Sequence, residues 1–108
     1  MADSLHTVIE TDIYLRSAER IMTESERMSV VDVLAADPWA GDVIPGTGGL
    51  RKVRVPLAGL GKRGGARVIA CFVTERGVYL LLAYAKNDQA NPTPAQAQAL
   101  ARLVETLF

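Results

Sequence analysis

Helical spacing governs the first third of this 108-residue chain, and strand alternation takes over in the middle. Leu15, Ala18, Ile21 and Met22 recur at three- and four-residue intervals, which predicts a helix over about Ile13–Met22. Thr23-Glu-Ser-Glu26 reads as a capping box, in which the two side chains satisfy each other's backbone N–H groups. It opens a second helix with Val30, Val31, Leu34 and Ala35 on one face. Asp37-Pro38 ends that helix, because a residue before proline disfavours helical geometry. Two helices joined so tightly predict an antiparallel hairpin. Ahead of them His6–Thr11 is short and β-branched, the mark of a first strand at a sheet edge.

Residues 38–49 are turn formers and predict a loop. Three strands follow, over Leu50–Leu57, Arg67–Thr74 and Val78–Tyr84, the last two paired through the short turn Glu75-Arg-Gly77. Residues 58–66 read as a basic, glycine-rich connection. Asn91-Pro-Thr-Pro94 leads into a final helix with Thr93 and Gln96 as a second capping box, Pro94 at its first position and Leu100, Leu103, Val104 and Leu107 as its apolar stripe. The expected fold is α+β, in the order β-α-α-β-β-β-α, with helices against one face of an antiparallel sheet. At this length residues 1–108 are expected to form one domain.

Charge sharpens this outline. The formal net charge is zero, yet residues 1–50 hold nine acids against three arginines, and residues 51–67 hold six Lys/Arg and no acid. The remainder is balanced, so a neutral total hides a dipolar chain, and such asymmetry points to a polyanionic partner. No apolar run approaches the roughly 18 residues that span a bilayer. The N-terminus lacks the basic and apolar regions of a signal peptide, so a cytoplasmic location without membrane contact is expected. Cys71 is the single cysteine and lies in the apolar run Val68–Val73, which predicts a buried, inert thiol.

Eight of the nine glycines fall between Gly41 and Gly65, beside the cations. A P-loop does not fit, since Pro56 stands where its first glycine belongs and Arg63 where its Ser/Thr belongs. Gly46-Thr-Gly-Gly49 is followed by a strand, which excludes a dinucleotide fingerprint. His6 is the only histidine, so neither a histidine-based triad nor a His-rich metal site is available. Alternation puts Val53, Val55 and Leu57 on one side of their strand and Lys52 and Arg54 on the other, with Arg51 on the valine side at its start. Leu80, Leu82, Tyr84 and Lys86 would share a face, so Lys52, Arg54, Arg67 and Lys86 could converge. Against this anion site stands a simpler reading, a wet surface whose charges keep the sheet soluble. Tyr14 and Tyr79 read as packing residues and Trp39 as the anchor of its loop.

Three stretches together resemble a known pattern: Asp42-Val-Ile-Pro-Gly-Thr-Gly-Gly-Leu-Arg-Lys-Val-Arg54, Gly64-Gly-Ala-Arg-Val-Ile69 and Tyr84-Ala-Lys-Asn87. The chain resembles the RelE/ParE toxin superfamily of bacterial type II toxin–antitoxin modules, in particular its HigB-like branch. The resemblance implies a small α+β, RelE-like toxin. Such a toxin enters the ribosomal A site, cuts messenger RNA there as a hydrolase of the mRNA interferase kind, and so inhibits translation. It implies no metal and no nucleotide cofactor. Its implied partners are the ribosome with its mRNA and a HigA-like helix-turn-helix antitoxin, through which alone operator DNA would be reached. The matching positions are Arg51, Lys52, Arg54, Lys62, Arg67, Tyr84 and Lys86. Family members often place aromatic residues in the strand after the Gly-Gly-x-Arg stretch; here only Phe72 is present there.

The chemistry suits these residues. The 2′-hydroxyl of RNA can attack the adjacent phosphorus if it is held in line, the added negative charge is stabilised, and protons are moved. Arginine binds phosphate bidentately and stays charged, which assigns Arg54 and Arg67 to the phosphate. A lysine among other cations can move the proton without histidine, which leaves Lys52 or Lys86 for that task. Arg51, Lys62, Arg63, Phe72 and Tyr84 are then expected to contact RNA or ribosome. Two other readings compete: a ParE-like toxin that acts on DNA gyrase without cutting RNA, and a decayed toxin or basic RNA-binding module.

Overall fold

A computed structural model describes residues 5–57, 61–86 and 92–106, for residues 61–64 the backbone only. The elements are β1 (Val8–Glu10), α1 (Asp12–Ala18), α2 (Glu24–Ala36), β2 (Asp42–Val43), β3 (Arg51–Leu57), β4 (Gly61–Val73), β5 (Gly77–Ala85) and α3 (Pro94–Glu105). They form an α+β fold around one five-stranded sheet in the order β1-β5-β4-β3-β2. No helix of the described residues is long and apolar enough to cross a membrane.

Both capping boxes form. The Glu26 N–H donates to Thr23 Oγ1 at 3.1 Å and the Thr23 N–H to Glu26 Oε1 at 2.8 Å. Thr93 and Gln96 repeat the exchange at 3.1 and 2.9 Å, with Pro94 in the first turn. Asp37 ends α2, as the proline after it requires. In the β4–β5 hairpin the non-glycine Glu75 takes a φ of 73° and Gly77 one of 140°.

Four expectations need correction. The sheet is mostly but not wholly antiparallel, since β1 pairs with β5 in parallel. The 38–49 loop contains an extra strand, β2, set by Thr47, whose hydroxyl donates to the Ile44 carbonyl and accepts from the Leu50 N–H. This makes the order β-α-α-β-β-β-β-α. Residues 61–66 belong to β4 rather than to a connection. The helices also cover both faces of the sheet rather than one. Val53, Val55, Ala66, Val68 and Leu80 pack with Tyr14, Ala18, Val30 and Leu34 of α1 and α2. Ile69, Cys71, Val73, Leu81 and Tyr84 pack with Leu100 and Val104 of α3. Leu103 is half-buried in the second cluster, and Leu107 lies outside the described residues.

The strand that carries Tyr84 changes phase midway. Ala70 faces Leu80 while Ile69 faces Leu82, so Leu81 is an extra residue in β5. Before it the odd-numbered residues face α3, and after it the even-numbered ones do. Leu80 therefore belongs to the α1/α2 side, against the expectation that it shares a face with Leu82 and Tyr84. α1 secures this segment: Thr11 Oγ1 donates to the Leu80 carbonyl at 2.7 Å, and Ser17 Oγ accepts from the Ala83 N–H at 2.9 Å.

Candidate functional site

The alternation of Arg51-Lys-Val-Arg-Val-Pro-Leu57 buries Val53, Val55 and Leu57 under α1 and α2, which turns Lys52 and Arg54 to the opposite face. In β4 the same rule gives Val68 to the α1/α2 side and Arg67 to the other. Register joins these strands: Arg54 stands opposite Arg67, and Arg67 stands opposite Tyr84. Arg54, Arg67 and Tyr84 thus form one row across three strands, with neighbouring Cβ atoms about 5 Å apart. Lys86 is on the same side of its strand as Tyr84, and its N–H donates to the Gly65 carbonyl at 3.0 Å, which extends the β4–β5 ladder.

Arg54, Val55, Pro56, Gly65, Arg67 and Lys86 line an open cleft of about 220 Å³. Three of the four residues expected to be catalytic meet there, and among the described residues no carboxylate lines it. Arg67 is 8% exposed, and its Nη1 donates to the Ala66 carbonyl at 3.2 Å, so its guanidinium is held rather than swinging in solvent. Arg54 and Lys86 are exposed. Burial pushes the Tyr84 phenol above its ordinary range, and the adjacent Arg67 charge partly offsets this, so the phenol is neutral at physiological pH. A held guanidinium and two exposed cations around a cleft that no carboxylate of the described residues lines, with a neutral phenol next in the row, suit a phosphodiester.

The other expected residues are placed elsewhere. Lys52 shares the face, but it lines a neighbouring hollow with Asp42, its register partner on β2. Arg51 is on the opposite side, where its Nη1 donates to the carbonyls of Trp39 at 2.9 Å and Gly41 at 3.1 Å. Its guanidinium carbon also sits 5.3 Å from the centre of the Trp39 ring. Phe72 joins that group, edge-on to Trp39 at 4.8 Å and to His6 at 5.4 Å, away from the cleft. Trp39 pins its loop while remaining 56% exposed. Lys62 and Arg63 continue β4 beyond Gly65; their side chains lie outside the described ones. Cys71 is buried in the α3 cluster, and burial pushes its thiol up, as befits an inert residue.

Of the three uncharged cleft residues, Val55, Pro56 and Gly65, none was among the expected site residues. A Cβ on Gly65 would lie 2.6 Å from the Val55 carbonyl oxygen, so only glycine lets β3 and β4 close up behind Arg67. Pro56 sits opposite this stretch, where the β3–β4 register slips between Val55 and Leu57. A glycine pair inside a strand was the available signal, since it marks a bulge or a close approach of backbones.

Compared with known protein families, the chain matches the RelE toxin of the RelE/RelB toxin–antitoxin system over residues 17–108. The match runs from the end of α1 through α3 and takes in every residue of the cleft.

Proposed function

The chain belongs to the RelE toxin family, the toxins of toxin–antitoxin systems, and from that premise we propose that it is a ribosome-dependent endoribonuclease that cuts mRNA in the ribosomal A site. The observation that supports this reading is the row Arg54–Arg67–Tyr84, whose two arginines line a cleft with Lys86 and with no carboxylate among the described residues.

In this reading the 2′-hydroxyl attacks the adjacent phosphorus, the 5′-oxygen leaves, and the products are a 2′,3′-cyclic phosphate and a 5′-hydroxyl. Arg67, fixed and largely buried, receives the non-bridging oxygens where charge builds up, and Arg54 closes on them from the next strand. Lys86, exposed at the rim, moves the proton. Lys52 faces Asp42 in the neighbouring hollow and is assigned to the RNA backbone instead. Tyr84 presents a neutral phenol beside Arg67. With two of its cations in solvent, the cleft is pre-organised only in part, and the ribosome would supply the positioning of the message. The HigB-like stretches favour a HigA-like helix-turn-helix antitoxin as partner, with operator DNA reached through it. The whole chain would act as one domain in the cytoplasm.

Cell-free translation with mapping of new mRNA 5′ ends tests this. In-frame cuts are expected only with ribosomes present, and none with Arg67→Ala. Intact message and undisturbed translation would overturn the reading.

A further inference from the structure

Two side chains at either end of α1 reach the edge of β5 on the two sides of its extra residue. Thr11 Oγ1 donates to the Leu80 carbonyl at 2.7 Å, and the Ala83 N–H donates to Ser17 Oγ at 2.9 Å. β1 pairs with β5 only as far as Leu80, so Ala83 lies where that edge has no strand neighbour among the described residues. Ala83 is buried, and a helix side chain supplies the partner that a strand would otherwise give. The Ser17 hydroxyl sends its own proton to the Tyr14 carbonyl at 2.8 Å, which leaves a lone pair for Ala83.

The spacing of the two contacts matters more than their number. In a regular antiparallel strand the backbone groups of successive residues turn to alternate neighbours, so residues three apart face opposite edges. Leu80 and Ala83 both face α1 because Leu81 is the extra residue between them. If Leu81 entered the ladder opposite Ile69, the N–H facing α1 would be that of Leu82, about 3.3 Å back along the strand. Arg67 would then stand opposite Ala83. Leu80, Leu81 and Leu82 are identical, so their own packing discriminates little between these two registers. The acceptor on Ser17 and the donor on Thr11 fit only one of them.

We propose that Ser17, together with Thr11, is a positioning residue for the cleft, which holds β5 in the register that sets Tyr84 beside Arg67 and Lys86 at the rim. The inference rests on the reading of the cleft as a site that cuts a phosphodiester. Thr11 also caps α1 by accepting from the Tyr14 N–H at 3.2 Å, so Ser17 is the cleaner of the two to change.

The test compares the full-length wild type with Ser17→Ala, Ser17→Thr and Thr23→Ala in two measurements. One is the rate of mRNA cleavage per folded molecule in cell-free translation, and the other is the nuclear Overhauser contact between the Arg67 and Tyr84 side chains. Thr23→Ala removes the cap of α2 and is a destabilised control away from β5. Ser17→Ala should cut about tenfold or more slowly at saturating ribosomes, with the half-saturating ribosome concentration unchanged. It should also exchange the Arg67–Tyr84 contact in part for one between Arg67 and Ala83. Ser17→Thr keeps the hydroxyl and should restore both, and Thr23→Ala should match the wild type in both. Should Ser17→Ala not fold, Ser17→Cys, whose sulfur is a weak acceptor, takes its place in the same comparison. An intact Arg67–Tyr84 contact in the Ser17 variant, or cleavage no slower than in Thr23→Ala, would overturn the proposal. A wild type that cuts nothing, with the contacts following the expected pattern, would remove the nuclease reading and leave the positioning of Tyr84 by Ser17 standing.

Discussion

Arg54 and Arg67 lie directly opposite each other on neighbouring strands, one exposed and the other almost covered. Like charges facing across a sheet oppose folding, by about 0.2–1 kcal/mol for such a pair. Arg54→Gln should therefore stabilise the protein by about that amount in urea unfolding at low salt, and the gain should shrink as salt screens the pair. The same variant should lower ribosome-dependent cleavage by about 100-fold or more, the scale of losing one group that stabilises developing charge. A loss of stability in Arg54→Gln would show that the two guanidiniums are not in conflict.

Gly65→Ala tests whether space rather than charge shapes the cleft. Its methyl carbon would stand 2.6 Å from the Val55 carbonyl oxygen, too close for any contact, so the strands must part. The expected cost is about 1–3 kcal/mol by denaturant unfolding. Cleavage should fall further than the loss of folded protein accounts for. The chain at Gly65 also accepts the Lys86 N–H, so the displacement reaches two cations at once.

Tyr14 is fully buried, and its hydroxyl has no hydrogen-bond partner among the described residues. Its phenol is pushed up to about 12, chiefly by burial and further by Glu10, with Arg27 partly opposing. The unfolded phenol ionises near pH 10, so the unfolded chain releases its proton first and stability falls as pH rises from about 10 to 12. The drop should be about 2–3 kcal/mol over that window and absent in Tyr14→Phe. At neutral pH the same substitution should stabilise the fold by about 1 kcal/mol, because it removes an unsatisfied buried group. Equilibrium unfolding at pH 8 reads the second effect, and at pH 11 about half of the first, roughly 1.4 kcal/mol.

Glu75 holds a φ of 73° in the β4–β5 turn, a region that side chains with a Cβ occupy at a cost. Glu75→Gly should raise the midpoint of thermal unfolding by a few degrees, corresponding to about 0.5–1 kcal/mol, without change in cleavage. Unchanged or lowered stability would mean that the turn tolerates the glutamate without strain.

How much of this was legible in the sequence varies with the range of the interaction involved. The two capping boxes are local, and Thr23–Glu26 and Thr93–Gln96 formed as written. Alternation in β3 placed Arg54 correctly, because Val53 and Val55 are unambiguous. β2 escaped notice, since two residues carry no period and its pairing depends on the Thr47 turn. The placement of α3 also escaped, although a signal existed: Val68–Val73 and Val78–Ala85 are apolar without interruption, which marks strands buried on both faces. Arg51 and Phe72 match their neighbours in residue type, and only the fold reveals that Trp39 and the loop carbonyls hold them on the far side.

The extra Leu81 in β5 acts as a phase shifter. Downstream of it every side chain of the strand is inverted relative to an unbroken alternation, and only by virtue of that inversion does Tyr84 stand in the row with Arg67 and Lys86 line the cleft. Were Leu81 taken into the regular ladder instead of bulging from it, both would turn to the α1/α2 side and Ala83 and Ala85 would take their places, whereas its removal would leave Leu80 facing Ala70 and Leu82 facing Ile69 in an unbroken ladder. Which side chains of β5 reach the face of the cleft is thus decided by how one leucine is accommodated, not by the identity of the residues downstream of it.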